Sequence, residues 1–201
     1  MLTNLSVGVD GWQRPELIEH YYPDGLPEDW RFDFYFNDFR TVLVAQDEWM
    51  RWSDAETEEL VNCRRDDSVV FLKIEFWQSQ AESVIARIKL TLESTLIGFL
   101  VFDDRMDQAA IDRLPGLVTR VSKTLRLEGW QWSFQNWVLS GEPCGWLEGL
   151  PADLKQQKAC LQDFVLSLPD KNTAYSFFVG GESIKMNQLQ NLKTLSELMG
   201  Y

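Results

Sequence analysis

Histidine and cysteine are both scarce in this sequence of 201 residues, which contains one histidine and three cysteines. Cys63, Cys144 and Cys160 are odd in number, lie far apart and include no C-x-x-C pair, so neither a disulfide framework nor a zinc cluster is expected. A hydrolase with a Ser-His-Asp or Cys-His arrangement would have to use His20, and no G-x-S-x-G elbow accompanies it. The sequence therefore disfavours nucleophilic triad chemistry, and His20 is interpreted as packing locally beside Tyr21.

Phosphate-binding motifs and long apolar segments are also missing. The sequence contains neither G-x-x-x-x-G-K-[ST] nor G-x-G-x-x-G. No apolar run approaches the ~18 residues that span a bilayer, and the opening MLTNLSVGVD lacks the basic and then apolar pattern of a signal peptide. We therefore expect no cofactor, no membrane segment and a cytoplasmic location.

Basic residues are outnumbered by acidic ones. The chain has 19 Lys and Arg against 31 Asp and Glu, which gives a net charge of -12 and an isoelectric point of about 4.5. Such a field repels phosphate backbones, so we expect no binding to nucleic acid. No basic patch compensates for it, since Arg64-Arg65 is followed directly by Asp66-Asp67. The acidity is interpreted as a contribution to solubility.

Large aromatic residues are abundant, with nine tryptophans and twelve phenylalanines. They supply core area, and some could form a subunit interface or stacking platforms for a ligand. The length fits one domain, residues 1–201, with enough chain for a hydrophobic core. The oligomeric state stays open, and spare tryptophan surface favours a homodimer as one option.

Short apolar runs alternate with amphipathic segments along most of the chain. The runs interpreted as buried strands cover residues 5–9, 41–45, 69–77, 96–102 and 173–179, and residues 125–139 alternate in part like a further strand. Helices are predicted to begin at Pro15, at the capping boxes Ser53–Glu56 and Ser79–Glu82, at Met106, at Leu117, at Pro151 and after Gly180-Gly181.

This alternation predicts an α/β fold with a mainly parallel sheet of about six strand–helix units. A complete eight-unit barrel needs about 250 residues, so the 201 residues of this chain favour a reduced or distorted TIM-barrel-like sheet. An open doubly wound sheet is the alternative, since right-handed crossovers are compatible with both arrangements.

The opening third of the chain carries the motifs of a known family. A strand ending Gly-x-x-Gly-Trp is matched by Gly8, Gly11 and Trp12, and an aromatic-Tyr-Pro motif is matched by Tyr21-Tyr22-Pro23. A strand F-x-T-V-E-V is matched by Phe39, Thr41, Val42 and Val44. A lysine near the end of the third strand is matched by Lys73. In these features the chain resembles the YecE-like family, domain of unknown function 72. The resemblance implies a TIM-barrel-like fold in which Trp12, Tyr22 and Pro23 plug one end of the barrel.

The chain departs from the family's pattern further along. Ala45–Trp49 replaces the family's N-S-x-F-Y run, and Phe102-Asp103-Asp104 replaces its Gln-Leu-Pro. The Thr-His pair after the third strand has no counterpart, and Glu128 is a weak match to the fifth-strand Glu-x-Arg. The resemblance is good as far as Glu75 and loose beyond it. It implies a shortened, divergent relative that has lost much of the family's pocket, and it implies no reaction.

Site candidates are the side chains at the C-terminal ends of the predicted strands, where parallel α/β folds bind ligands. Lys73 and Glu75 lie on one face of the third strand, and such charges need partners if they are buried. Lys73 with Glu75 is the candidate catalytic pair, in which Lys73 could be a general base, a Schiff-base amine or an anion anchor. A structural ion pair between the two is the favoured alternative.

The candidate ligand-binding residues are the other polar and aromatic side chains at the strand ends: Asp10, Trp12, Asp47, Glu48, Trp77 and Asp103. Asp103-Asp104 with Asp47 and Glu48 could hold a hard cation, but acids at these positions also cap the helices that follow, and no metal site is predicted. The turn Gly180–Ser183 could bind phosphate, but Glu182 opposes an anion, so a tight turn with Ser183 as N-cap is favoured.

Two function hypotheses follow. The first is an uncharacterised barrel-like protein, a non-catalytic or vestigial relative of the family that binds a small polar ligand or a protein partner. It is motivated by the loss of the family's strand-end residues and by the abundance of tryptophan. The second is a hydrolase or lyase in which Lys73 and Glu75 act together with Asp47, Glu48 and Asp103.

Overall fold

The structure, a computed structural model, describes residues 4–63, 65–170, 172–181 and 184–201. Its strands are β1 (Asn4–Asp10), β2 (Thr41–Val44), β3 (Val69–Ile74), β4 (Leu96–Val101), β5 (Leu117–Ser122), β6 (Trp130–Phe134), β7 (Trp137–Gly141), β8 (Gly145–Leu147) and β9 (Ala174–Val179). Its α-helices are α1 (Pro15–His20), α2 (Arg31–Asp38), α3 (Gln46–Trp49), α4 (Asp54–Cys63), α5 (Ser79–Leu92), α6 (Gln108–Ile111), α7 (Leu154–Ser167) and α8 (Met186–Leu198). A single-turn 3₁₀ helix, Glu28–Trp30, precedes α2.

Within the described residues the nine strands belong to one sheet, in the order β6-β7-β5-β4-β3-β2-β1-β9-β8. The pairings from β8 to β5 are parallel, whereas β7 is antiparallel to both of its neighbours, β5 and β6. The α/β, mainly parallel, barrel-like architecture is therefore confirmed. The prediction of about six units was wrong in its strand count, because β5 leads into the hairpin β6–β7 instead of a helix.

The sheet curls into a nearly closed barrel, and aromatic contacts bridge its edges where no strand pairing does so in the described part of the chain. Across the interior, the rings of Phe71 on β3 and Phe178 on β9 lie 5.3 Å apart. Near the two edges of the sheet, Trp137 on β7, the neighbour of the edge strand β6, contacts Trp146 on the edge strand β8, with ring centroids 5.5 Å apart. Such aromatic pairs contribute about 0.5–1.5 kcal/mol beyond the area they bury.

A tyrosine side chain helps to join β1 to β2. Tyr35 of α2 is fully buried, and its hydroxyl accepts a hydrogen bond from the Val9 N–H at 3.0 Å and donates one to the Thr41 carbonyl at 2.9 Å. Gly8 permits the close approach of the strands, because a Cβ there would lie 2.1 Å from the Thr41 carbonyl oxygen. Burial raises the pKa of Tyr35, so the hydroxyl keeps the proton that it donates.

The segment that begins at Leu117 is a clear correction. It was predicted to be a helix, but Leu117–Ser122 forms β5, parallel to β4 and antiparallel to β7. Val118, Thr119 and Val121 are β-branched, which favours a strand once neighbouring strands are available on both sides. The residues after it form the β6–β7 hairpin, which turns at Gln135 in a left-handed conformation with a φ of 52°.

Of the two predicted capping boxes, one is present. Ser53 and Glu56 bond each other's backbone N–H groups at 2.7 and 3.2 Å at the start of α4. The box at Ser79 was wrong: Ser79 is the first helical residue of α5, its N-cap Gln78 makes no side-chain cap bond, and Glu82 pairs with Arg113 at 3.5 Å.

Three other boundaries differ from the sequence prediction. β3 ends at Ile74, so Glu75–Trp77 lie in the following loop, and α7 begins at Leu154 with Asp153 as its N-cap. Met106 precedes α6, a helix of four residues. The predicted N-cap Ser183 and its neighbour Glu182 lie outside the described residues. No helix in the described ranges is long and apolar enough to cross a membrane.

We expect Tyr35→Phe to lower the free energy of unfolding by about 2 kcal/mol, because the Val9 N–H and the Thr41 carbonyl would lose their partner in the core. Tyr175→Phe is the matched control, since Tyr175 is also buried but no hydrogen bond from its hydroxyl occurs within the described residues. Urea unfolding of both variants measures the difference. Equal effects of the two substitutions would contradict the bridging role of Tyr35.

Candidate functional site

A buried carboxylate lies at the C-terminal end of β1. Asp10 is 3% exposed; its Oδ2 lies 3.0 Å from the Lys73 Nζ on β3 and accepts a hydrogen bond of 3.0 Å from the Trp146 indole on β8. Gly180, at the end of β9, leaves room for this arrangement, because a Cβ there would lie 2.8 Å from the Asp10 carboxylate. Asp10 therefore connects three strands at one end of the barrel.

Lys73 has a second carboxylate beside it. Its Nζ lies 3.2 Å from Glu75 Oε1 and 4.8 Å from the centre of the Phe102 ring. The side chain of Lys73 is 16% exposed, whereas that of Glu75 is 45% exposed, so the pair reaches from the interior to solvent. The predicted ion pair between Lys73 and Glu75 is thus present, with Asp10 as a further and more buried partner.

A glutamine of α3 sets the path of the chain at Glu75. Gln46 is fully buried, and its Oε1 accepts hydrogen bonds from the N–H groups of Glu75 and Phe76 at 2.7 and 3.0 Å. Its Nε2 donates to the Phe76 carbonyl at 2.7 Å. These bonds satisfy backbone groups that have left the sheet, and they hold Glu75 next to Lys73.

Aromatic rings surround the ion pairs. Phe102 packs against Trp146 with ring centroids 4.9 Å apart, and Trp146 packs against Trp137. The Trp137 indole donates to Glu148 at 3.0 Å, and the Lys123 ammonium lies 4.6 Å from the centre of the Trp137 ring. We call the region formed by these residues together with Asp10, Lys73 and Glu75 the barrel mouth.

Two of the predicted ligand-binding residues have contacts elsewhere. Asp47 has a side chain that is 78% exposed and pairs with Arg51 at 3.6 Å along α3. Trp77 lies beside α5 and lines a separate cleft of about 250 Å³ with Ile85 and Lys89. The structure does not bring either residue to Lys73.

Asp103 is held in a local network after β4. It accepts a hydrogen bond from the Trp77 N–H at 2.7 Å and pairs with Arg105 Nε at 2.9 Å. Burial opposes its ionisation, but the hydrogen bonds from Arg105 and Trp77 outweigh burial and lower the pKa of Asp103. These contacts stabilise the loop that follows β3, and Lys73 is not among them.

Trp12 and Glu48 form a pair of their own. The Trp12 indole donates to Glu48 Oε1 at 2.5 Å, and the Tyr22 hydroxyl donates to the Trp12 carbonyl at 2.8 Å. Burial raises the pKa of Glu48 to about 8, with a smaller upward contribution from Asp47. Trp12 lines a cleft beside α4, so this pair belongs to a different surface from the barrel mouth.

The predicted acids do not form a metal site in the described residues, where no group of three or more His, Cys, Asp or Glu side chains could hold an ion. Asp47 and Glu48 lie in the first turn of α3, as the capping interpretation expects. The N-cap of α6 is Asp107, which accepts from the Ala110 N–H at 2.8 Å, so Asp103-Asp104 do not cap that helix.

Sequence reasoning missed the aromatic part of the mouth. Trp146 lies on β8, a strand of three residues that the sequence did not predict. Phe102 lies two residues after Leu100, so strand alternation could have identified it. Glu128, the weak fifth-strand candidate, is exposed before the start of β6 and does not line the mouth.

The fold and the mouth define a barrel-like α/β protein with its candidate site at the C-terminal ends of the strands. The chain is similar in structure to a DUF72 family protein from Thermotoga maritima, with a TM-score of 0.58 and 10% sequence identity over 98% of this chain and 100% of that chain. No protein-family model and no curated protein matches the sequence. At this identity the likeness shows a shared fold, which agrees with the resemblance of the opening third to the YecE-like family.

We expect Lys73→Met to lower the free energy of unfolding by about 3 kcal/mol, because Asp10 would be left as a buried charge without its cation. The double variant Lys73→Met/Asp10→Asn should recover much of that loss, since Asn keeps an acceptor for Trp146 and carries no charge. Chemical unfolding of the two single variants and the double variant measures the coupling. Strictly additive effects on the free energy of unfolding would contradict an energetic coupling between the two charges.

The raised pKa of Glu48, about 8, makes stability dependent on pH. Between the ordinary glutamate pKa and the raised one, the folded protein binds a proton that the unfolded chain releases, so stability falls as pH rises through this window. We expect Glu48→Gln to be more stable relative to the wild type at pH 8 than at pH 5, because glutamine cannot ionise. Urea unfolding at both pH values tests this, and a difference independent of pH would contradict it.

Proposed function

We propose that the protein is a divergent, non-catalytic member of the YecE-like family that binds a small polar ligand at the barrel mouth. The observation that carries the proposal is the engagement of Lys73, whose ammonium lies 3.0 Å from Asp10 and 3.2 Å from Glu75. The resemblance implies a lysine near the end of the third strand. Lys73 lies at that position, and its positive charge compensates the negative charges of the two carboxylates.

These contacts weigh against the hydrolase or lyase hypothesis. A lysine that forms a Schiff base must direct its nitrogen at the substrate, whereas the Lys73 Nζ is directed at Asp10 and Glu75, at 3.0 and 3.2 Å. The other acids of that hypothesis have partners elsewhere: Asp47 pairs with Arg51, Asp103 pairs with Arg105, and Glu48 accepts a hydrogen bond from the Trp12 indole. Among the described residues, these acids therefore do not converge with Lys73 on a common point.

The chemistry of the mouth favours a ligand that carries hydroxyl or amine groups and one apolar face. Glu75 is the more exposed of the two carboxylates and can accept hydrogen bonds from a ligand without breaking the Asp10–Lys73 pair. Trp137, which packs against Phe102 and Trp146, is partly exposed and offers a ring for stacking. Monosaccharides and amino sugars combine these two properties.

The experiment is a thermal-shift screen of the full chain against monosaccharides, amino sugars and short hydroxy acids. A ligand that binds only the folded state stabilises it by about 2.7 kcal/mol at a hundred times its dissociation constant, which is a measurable rise in Tm. We expect at least one probe to raise Tm, and we expect Glu75→Gln to remove most of that shift. Glu128→Gln is the matched control, because Glu128 is exposed outside the mouth.

Each other outcome has a defined meaning. Equal shifts in the Glu75→Gln variant and the wild type would contradict binding at the mouth. Conversion of a stabilising probe to product, followed by proton NMR, would contradict the non-catalytic assignment. A panel without any shift would contradict a small polar ligand and favour the protein-partner hypothesis.

A further inference from the structure

A second cleft lies outside the barrel mouth, between the 3₁₀ helix and α4, and has a volume of about 320 Å³. Trp12, Phe32 and Trp52 form the aromatic part of its wall. The rings of Trp12 and Phe32 pack edge to face with centroids 5.1 Å apart. Trp12 is also fixed by the hydrogen bond from its indole to Glu48. The volume falls at the lower end of the range of ~300–1,000 Å³ for small-molecule sites.

The remainder of the wall is strongly acidic. Glu28 and Asp29 come from the 3₁₀ helix, and Glu56 and Glu59 come from α4. Among the described residues, no lysine or arginine lines the cleft. Glu28, Asp29 and Glu59 form no ion pair with any residue in the described ranges. We call this surface, with its aromatic wall and four carboxylates, the acidic cleft.

The charge of the acidic cleft acts on its neighbours. Burial raises the pKa of the Cys63 thiol, and the carboxylates of Asp33, Glu59 and Asp29 raise it further. Glu56 is held in its ionised form, because hydrogen bonds from the Ser53 hydroxyl and N–H lower its pKa. The cleft therefore places carboxylates next to aromatic rings, while Arg51 and Arg87 act on Glu56 from outside its lining.

We propose that the acidic cleft binds an aliphatic di- or polyamine. The ammonium groups would pair with carboxylates of the 3₁₀ helix and of α4, while the methylene chain lies along the aromatic wall. Ammonium groups are attracted both by carboxylates and by the faces of aromatic rings, and alkyl stems pack on such rings. The net charge of -12 would steer a cation towards the protein.

Two features favour an organic cation over a metal ion. A divalent metal requires several oxygens that converge on one point, and no such group of three or more acidic, histidine or cysteine side chains occurs among the described residues. The aromatic wall offers a metal ion no ligands, whereas it supplies contact area for methylene groups. The proposal does not depend on the barrel mouth, since the two surfaces share no residue.

Isothermal titration of the full chain with spermidine at low ionic strength tests the proposal. We expect saturable binding with one site, and we expect Asp29→Asn/Glu59→Gln to weaken it by about tenfold or more. The matched control is Asp24→Asn/Glu58→Gln, which removes the same charge from exposed residues outside the cleft. This control should change the affinity by less than about twofold. The neutral analogue 1,4-butanediol should not bind.

Several results would overturn the proposal. Equal weakening in the cleft variant and the control would show that spermidine acts as a general counter-ion of an acidic protein. Binding of magnesium or tetramethylammonium as tight as that of spermidine would contradict recognition of an aliphatic amine. Binding of tetralysine without binding of spermidine would assign the cleft to a basic segment of a protein partner. Absence of any binding would also refute the proposal.

Discussion

The structure of the barrel mouth depends on the buried interaction between the Asp10 carboxylate and the Lys73 ammonium. A buried charge is costly unless a partner and hydrogen bonds compensate it, and here the lysine, the Trp146 indole and the space left by Gly180 supply that compensation. The interaction joins β1, β3 and β8. It therefore fixes the short edge strand β8 at a place where the described residues provide strand pairing on one side only.

Two helix starts in the first half of the fold could be predicted because their signals are local. Pro15 and the Ser53–Glu56 capping box act within a few residues, and both mark helices in the structure. The segment at Leu117 failed for the opposite reason. Its β-branched residues form a strand because β4 and β7 are available as partners, and that availability is a property of the tertiary fold.

The candidate site was predictable in part because one of its signals is also local. Lys73 and Glu75 lie two residues apart, and the requirement that such charges be compensated predicted their pairing. Asp47 could not be placed in this way, because α3 begins directly after β2 and turns its side chain to solvent towards Arg51. The predicted set is scattered: Asp10 lies at the barrel mouth, Trp12 lines the acidic cleft, and Trp77 lies in a third cleft. These positions depend on loop paths that no short motif encodes.

The most direct test of this account is the reactivity of Lys73 as a nucleophile. Brief acylation of the folded protein with an N-hydroxysuccinimide ester, followed by mass spectrometry, gives the relative rate at each lysine. A lysine paired with Asp10 and Glu75 should react much more slowly than the exposed Lys155 and Lys158. A Lys73 that reacts faster than these two would contradict its engagement by Asp10 and Glu75 and would favour the hydrolase or lyase hypothesis.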